Sequence, residues 1–247
     1  GLNSSVQWGW DQVIPVPADY DGDGKTEYAV YLKSHGIWYI RRPDGSVRVQ
    51  QFGWNETDPV PGDYNGDGAV DFAVYHPTTG IWYILDSKTS AFSQQQFGWK
   101  DTKPVPADYD GDGITDFSVY YAFWGMWYML MSDSGRYVEA AWGWGGTLPV
   151  PADYDGDGTD DIAIYQPSSG FWLILYDVDT GEQQTQQFGT FETRPVPGDY
   201  DGDGTDDIVV YHRQTGLWSF LNSTEGYKTK SFGWNLVFPP WFRYWLD

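Results

Sequence analysis

The chain has 247 residues, with 35 acidic against 14 basic side chains, and its formal charge of −21 argues against nucleic acid or anionic membrane as partners. It contains no cysteine, so neither disulfides nor thiol chemistry support the fold, and no stretch approaches the ~20 apolar residues of a membrane-spanning helix. The N-terminal GLNSSVQWGW lacks the charged and apolar regions of a signal peptide, which predicts a soluble chain from which any secretion signal has been removed.

In chain order the sequence repeats. The segment PVPADYDGDG, or a close variant, occurs five times, with its first aspartate at Asp19, Asp63, Asp108, Asp153 and Asp199. The intervals of 44, 45, 45 and 46 residues each fit one small supersecondary unit. Repeats therefore run over 11–54, 55–99, 100–144, 145–189 and 190–234 of a single domain, with 1–10 expected as a closing strand and the aromatic 235–247 as a C-terminal cap.

Each unit holds four strand-like runs bounded by turn residues, here labelled A (VPADY), B (DFAVY), C (GIWYIL) and D (QQQFGW), and no window shows a helical period. Four short strands in about 45 residues is the size of a propeller blade, so the expected fold is all-β, a five-bladed β-propeller. Prolines at i and i+2 (Pro15 and Pro17, Pro59 and Pro61, Pro104 and Pro106, Pro149 and Pro151, Pro195 and Pro197) remove two N–H donors from one side of strand A, which places it at a sheet edge, the innermost strand of its blade.

The loop from A to B carries oxygen donors at positions 1, 3, 5 and 9. These are Asp19, Asp21, Asp23 and Glu27; Asp63, Asn65, Asp67 and Asp71; Asp108, Asp110, Asp112 and Asp116; Asp153, Asp155, Asp157 and Asp161; Asp199, Asp201, Asp203 and Asp207. Position 7 is Lys25, Ala69, Ile114, Thr159 or Thr205, without fixed side-chain chemistry, as expected where only the backbone carbonyl binds. Glycines at positions 4 and 6 let the chain turn around an ion. An all-oxygen, acid-rich donor set suits calcium, so about five calcium ions are expected, one stabilising each A-to-B turn. The first half of each loop is similar to an EF-hand loop, but position 12 is Val or Ile, so position 9 must close the site.

The pattern of Phe-Gly-Trp or Trp-Gly-Trp followed by this acidic loop and a hydrophobic strand resembles the FG-GAP or VCBS repeats of integrin-type β-propellers, over about 225 residues. The resemblance implies calcium at the loop acids and a role in recognition in a secreted or cell-surface setting; some members are lectins and a few related propellers are polysaccharide lyases. Integrin-like propellers have seven blades, whereas five are expected here.

Strands in a meander alternate, so the metal loops and the C-to-D turns share one end of each blade. The B-to-C turns and D-to-A connectors share the other. The second end carries Trp10, Trp54, Trp99 and Trp144 with His35, His76 and His212, and flat indoles beside hydrogen-bonding groups suit carbohydrate. The strand-C tryptophans Trp38, Trp82, Trp127, Trp172 and Trp218 are assigned to the core. No residue is given a catalytic role, because near-equivalent repeats suit repeated binding better than one reaction centre. The expected function is a lectin-like recognition module, not an enzyme, with a carbohydrate or glycoprotein surface as partner; a protein-interaction or structural module is the alternative.

Overall fold

The computed structural model describes residues 8–231. The chain forms two compact units, residues 1–96 and residues 97–247. The closing strand expected over 1–10 falls largely outside the described residues, and the cap expected over 235–247 wholly so.

Five four-stranded antiparallel sheets follow one another as propeller blades. The first unit holds β1 (Ile14–Pro15), β2 (Tyr28–Leu32), β3 (Ile37–Arg41) and β4 (Val47–Gln51), then β5 (Asp58–Pro59), β6 (Phe72–His76), β7 (Ile81–Leu85) and β8 (Phe92–Gln96). The second holds β9 (Lys103–Pro104), β10 (Phe117–Tyr121), β11 (Met126–Leu130) and β12 (Tyr137–Ala141), then β13 (Leu148–Pro149), β14 (Ile162–Gln166), β15 (Phe171–Leu175) and β16 (Gln183–Gln187). It ends with β17 (Thr193–Pro195), β18 (Ile208–His212), β19 (Leu217–Asn222) and β20 (Gly226–Ser231).

Strand A lies at a sheet edge in every blade, as the paired prolines require. It is short, two or three residues plus an isolated bridge such as Ala18 to Glu27, which closes the acidic loop at its base. Between Pro15 and Pro17, the Val16 N–H donates to Ala29 O at 2.9 Å, so the two missing donors both face away from strand B. Strand D stops earlier than the sequence suggests. The Phe-Gly-Trp segment lies in the connector, because Gly53 and Gly98 take φ of +105° and +116°, which no strand continues.

One register repeats in all five sheets: the strand-B tyrosine opposes the strand-C tryptophan, as in Tyr31 with Trp38 and Tyr165 with Trp172. Trp38, Trp82, Trp127 and Trp172 are fully buried, while Trp218 is only partly so. Each of the four is the kind of core side chain whose truncation to alanine costs about 3–5 kcal/mol. The indole N–H of Trp38 donates to Phe52 O at 2.8 Å, and that of Trp172 to Phe188 O at 2.7 Å, so strand C also holds the connector. The loop tyrosine packs inward too: the Tyr20 hydroxyl donates to Val16 O at 2.7 Å, and its ring stacks on Phe72 of the next blade at 5.3 Å.

The B-to-C turn presses on the connector through paired glycines. A Cβ on Gly36 would overlap the Gly53 carbonyl, and one on Gly125 the Gly143 carbonyl. Gly45 has a similar positive φ of +84° but open space around it, so Gly45→Ala isolates the conformational penalty, about 1 kcal/mol. Gly36→Ala adds steric overlap and should cost about 1–3 kcal/mol more in denaturant unfolding; equal losses for the two variants would refute the pressed contact.

Candidate functional site

At one end of each blade the A-to-B loop folds around its position 1 aspartate. Asp19 Oδ1 accepts the N–H of Gly22 at 2.7 Å and of Asp23 at 3.2 Å, and Oδ2 accepts Gly24 at 2.7 Å. The same pattern holds for Asp63, Asp108 and Asp199, and for Asp153 with Gly156 and Gly158.

Position 9 is the buried member. Glu27, Asp71, Asp116, Asp161 and Asp207 are each at most 4 % exposed. One oxygen accepts the N–H of position 2, as from Tyr109 to Asp116 at 2.8 Å. The other accepts an N–H from the C-to-D turn sixteen residues on: Ser87 for Asp71, Ser132 for Asp116 and Ser223 for Asp207. In the first blade the corresponding residue is Pro43, which has no N–H, and Glu27 Oε1 is left buried without a partner. Asp161 Oδ1 and Asp201 Oδ1 are likewise buried and unpartnered.

Burial raises all five position 9 carboxyls, and neighbouring loop carboxylates raise them further against the opposing backbone donors. Asp71 is pushed to about 6, Asp116 to about 7 and Asp161 to about 8, while Glu27 and Asp207 shift in the same direction. Orphaned buried oxygens and carboxyls that resist ionisation are what a bound cation would relieve. Among the described residues, acids whose ligand atoms lie within 4.8 Å of one another form four groups: Asp19, Asp21, Asp23 and Glu27; Asp108, Asp110 and Asp116; Asp153, Asp155 and Asp161; Asp199, Asp201 and Asp203. The donor set is hard and anionic, and it fits a divalent cation. Asp112, Asp157 and Asp207 stand outside these groups, and the second loop, with Asn65 in place of an acid, forms none.

Adjacent loops are clasped. The position 8 N–H of one blade donates to the position 1 carbonyl of the blade before it: Val70 to Asp19, Asp160 to Asp108 and Asp206 to Asp153, each at 2.7 Å. Asp160 and Asp206 add a carboxylate contact to the same partner's N–H. Beside these clasps lies a cavity of about 370 Å³, lined by Asp110, Asp133, Asp157, Asp160 and Asp177 together with Arg136.

The opposite end is aromatic. Trp10, Trp54, Trp99 and Trp144 are 51 %, 37 %, 42 % and 41 % exposed, so none is core. Three stand edge-on to a strand-C tyrosine: Trp10 to Tyr39 at 5.1 Å, Trp54 to Tyr83 at 5.3 Å and Trp99 to Tyr128 at 4.9 Å. A threonine three residues on fixes the connector, since Thr57 Oγ1 donates to Trp54 O at 2.8 Å and lies 3.2 Å from the Tyr31 hydroxyl. His76 joins Trp54, with ring centroids 5.7 Å apart, and bonds Thr79 at 2.7 Å, with Glu56 3.9 Å away. His212 bonds Glu192 and Thr215, both at 3.0 Å, in the blade where Thr190 replaces the tryptophan. His35 is bonded instead to Ser34 at the tip of its turn.

Sequence reasoning missed Phe123 and Trp124, which are 73 % and 67 % exposed on the third B-to-C turn. Their rings meet Tyr121, which meets Trp99, so this blade carries a continuous exposed aromatic cluster. The signal was present, because YAFWG is the one aromatic B-to-C turn among polar ones.

Residues 153–210 match the FG-GAP-like repeat family. That span takes in the fourth and fifth acidic loops, so two FG-GAP-like loops fall within a family match. In fold, the chain is similar to an Agrocybe aegerita lectin that recognises non-reducing terminal N-acetylglucosamine, at 17% identity and a TM-score of 0.58, over 89% of this chain and 66% of the lectin. It is also similar to virginiamycin B lyase from Staphylococcus aureus, at 10% identity and a TM-score of 0.59, over 94% of this chain and 72% of the lyase. The chain thus spans just under two thirds of the lectin's length, and both likenesses concern the fold. No curated protein matches the sequence.

The raised carboxyls set the sign of one pH dependence. A folded, cation-free chain holds protons on Asp116 and Asp161 that the unfolded chain has released above about pH 4, so stability falls as pH rises from there toward about 8. In chelator, the melting temperature should be higher at pH 5 than at pH 8, and Asp116→Asn with Asp161→Asn should flatten the difference. A melting temperature that rises with pH would contradict the assignment.

Proposed function

We propose that the protein is a secreted, calcium-stabilised recognition module whose D-to-A connectors bind carbohydrate. The observation that carries this reading is the set of half-exposed indoles. A threonine three residues on bonds the backbone at Trp54, Trp99 and Trp144, and a tyrosine edge supports Trp10, Trp54 and Trp99, so much of the ring surface stays open for the C–H face of a sugar. Polar groups stand beside them: Glu56 and His76 near Trp54, and the Lys33 to Asp58 pair at 2.6 Å along the same connector. The lectin of similar fold recognises terminal N-acetylglucosamine, which makes that sugar the first ligand to test. Repetition of one constellation from blade to blade suits several weak sites acting together, where avidity replaces single-site affinity, better than one reaction centre. The exposed Phe123 and Trp124 favour a second reading, a protein-docking surface on the third blade.

Glycan-array binding in saturating calcium tests the first reading. Trp54→Ala and Trp99→Ala should each weaken binding about tenfold, equivalent to about 1.4 kcal/mol, with little change in melting temperature. Failure to bind any glycan would overturn it, and steady turnover of a polysaccharide would overturn the non-enzymatic assignment.

Calcium in this proposal satisfies the orphaned loop oxygens and removes the protons held by the position 9 carboxyls. Chelation should lower the melting temperature by ten degrees or so, and calcium should restore it, more strongly at pH 8 than at pH 5 because binding releases protons. An unchanged melting curve would sink the claim.

A further inference from the structure

The residue that follows the C-to-D anchor meets the acidic loop of its own blade in the second and fifth blades, and its charge differs from blade to blade. In the fifth blade Thr224 Oγ1 donates to Asp201 Oδ2 at 2.8 Å. In the third the slot holds Asp133, which lines one cavity with Asp110. In the second the slot holds Lys88. Its ammonium donates to the Asp67 carbonyl at 2.7 Å and lies 3.2 Å from Asp67 Oδ1. It also sits beside the first loop, where a methyl on Gly22 would lie 3.0 Å from it. The same loop has Asn65 where the other four have aspartate, so its position 3 offers a neutral donor in place of a carboxylate.

We propose that the second loop carries its own cation: the Lys88 ammonium takes the electrostatic role that a divalent ion takes in the other four loops, so the chain binds four ions rather than five. The inference rests on the calcium proposal and sets its stoichiometry. A divalent ion at Asp67 would meet a positive charge already in hydrogen-bond contact with that residue and one fewer carboxylate to offset it. The first loop also has a lysine, Lys25, on its position 5 acid at 3.0 Å, but the case differs. The Lys25 side chain is 74 % exposed against 39 % for Lys88, it bonds a carboxylate oxygen where Lys88 bonds a backbone carbonyl, and the first loop keeps all four converging acids.

Elemental analysis of calcium per chain, after dialysis against buffered low free calcium, decides the matter. Four ions support the inference and five overturn it, whereas none at all would refute the calcium proposal beneath it. Asn65→Asp with Lys88→Thr copies the fifth blade, and should raise the count by one; an unchanged count would overturn the role given to Lys88. The same double variant should lose more melting temperature in chelator than the parent, because it has given up its internal cation, and calcium should recover that loss. Equal losses in chelator would also count against the inference.

Discussion

Every blade is built around one buried carboxylate. The position 9 acid closes the A-to-B loop, opens strand B and receives N–H groups from the loop and from the C-to-D turn, so three segments converge on two oxygens. Burying an ionised carboxyl is costly unless donors or a cation surround it, and here the donors fall short by a known amount. Pro43 withdraws one from Glu27, and Asp161 Oδ1 has none. In a chain without cysteine, this end of the blade is held by charge and hydrogen bonding rather than by covalent staples.

The other end is held by different physics. Gly36 against Gly53, Trp38 against the Phe52 carbonyl, and Thr57 between Trp54 and Tyr31 fasten the connector through steric fit and neutral hydrogen bonds. Such an anchor does not require the outward side chains to be alike. The tryptophan can become Thr190, or the turn can acquire Phe123 and Trp124, while the backbone beneath keeps its path. Constancy of the acidic loops and variation at the aromatic end therefore follow from how each is fastened, and the proposed recognition uses the end where change is tolerated.

Much of this was legible in the sequence. The repeat spacing yields five four-strand units, the paired prolines place strand A at an edge, and valine or isoleucine at position 12 assigns closure to position 9. What was hidden depended on tertiary neighbours. The end of strand D could not be read, because Gly53 leaves the strand through a positive φ that composition alone does not reveal. Lys88 was hidden for another reason: it lies 21 residues from Asp67, in a turn whose length and composition change from blade to blade, and only the folded turn brings it to the loop. The core assignment of Trp38 held because it lies on the buried face of strand C, whose residues alternate buried and half-buried, while Trp218 in the last described blade remains partly open.

The clasps join loops of neighbouring blades within each unit. Because Val70 donates to Asp19, and Asp160 and Asp206 to Asp108 and Asp153, the residue that begins one loop also fixes the position 8 amide of the next. A cation bound as proposed at position 1 would order part of the following loop through the same residue, so its binding free energy would be shared with the neighbouring blade. Position 8 is valine in the second loop and aspartate in the fourth and fifth, where the added carboxylate makes the clasp reciprocal. With Lys88 set between the first two loops, the pair whose clasp has a single backbone bond also contains a permanent positive charge. Charge placed there by the chain itself offsets repulsion among acids that the weaker clasp alone leaves uncompensated, and it does so before any ion arrives.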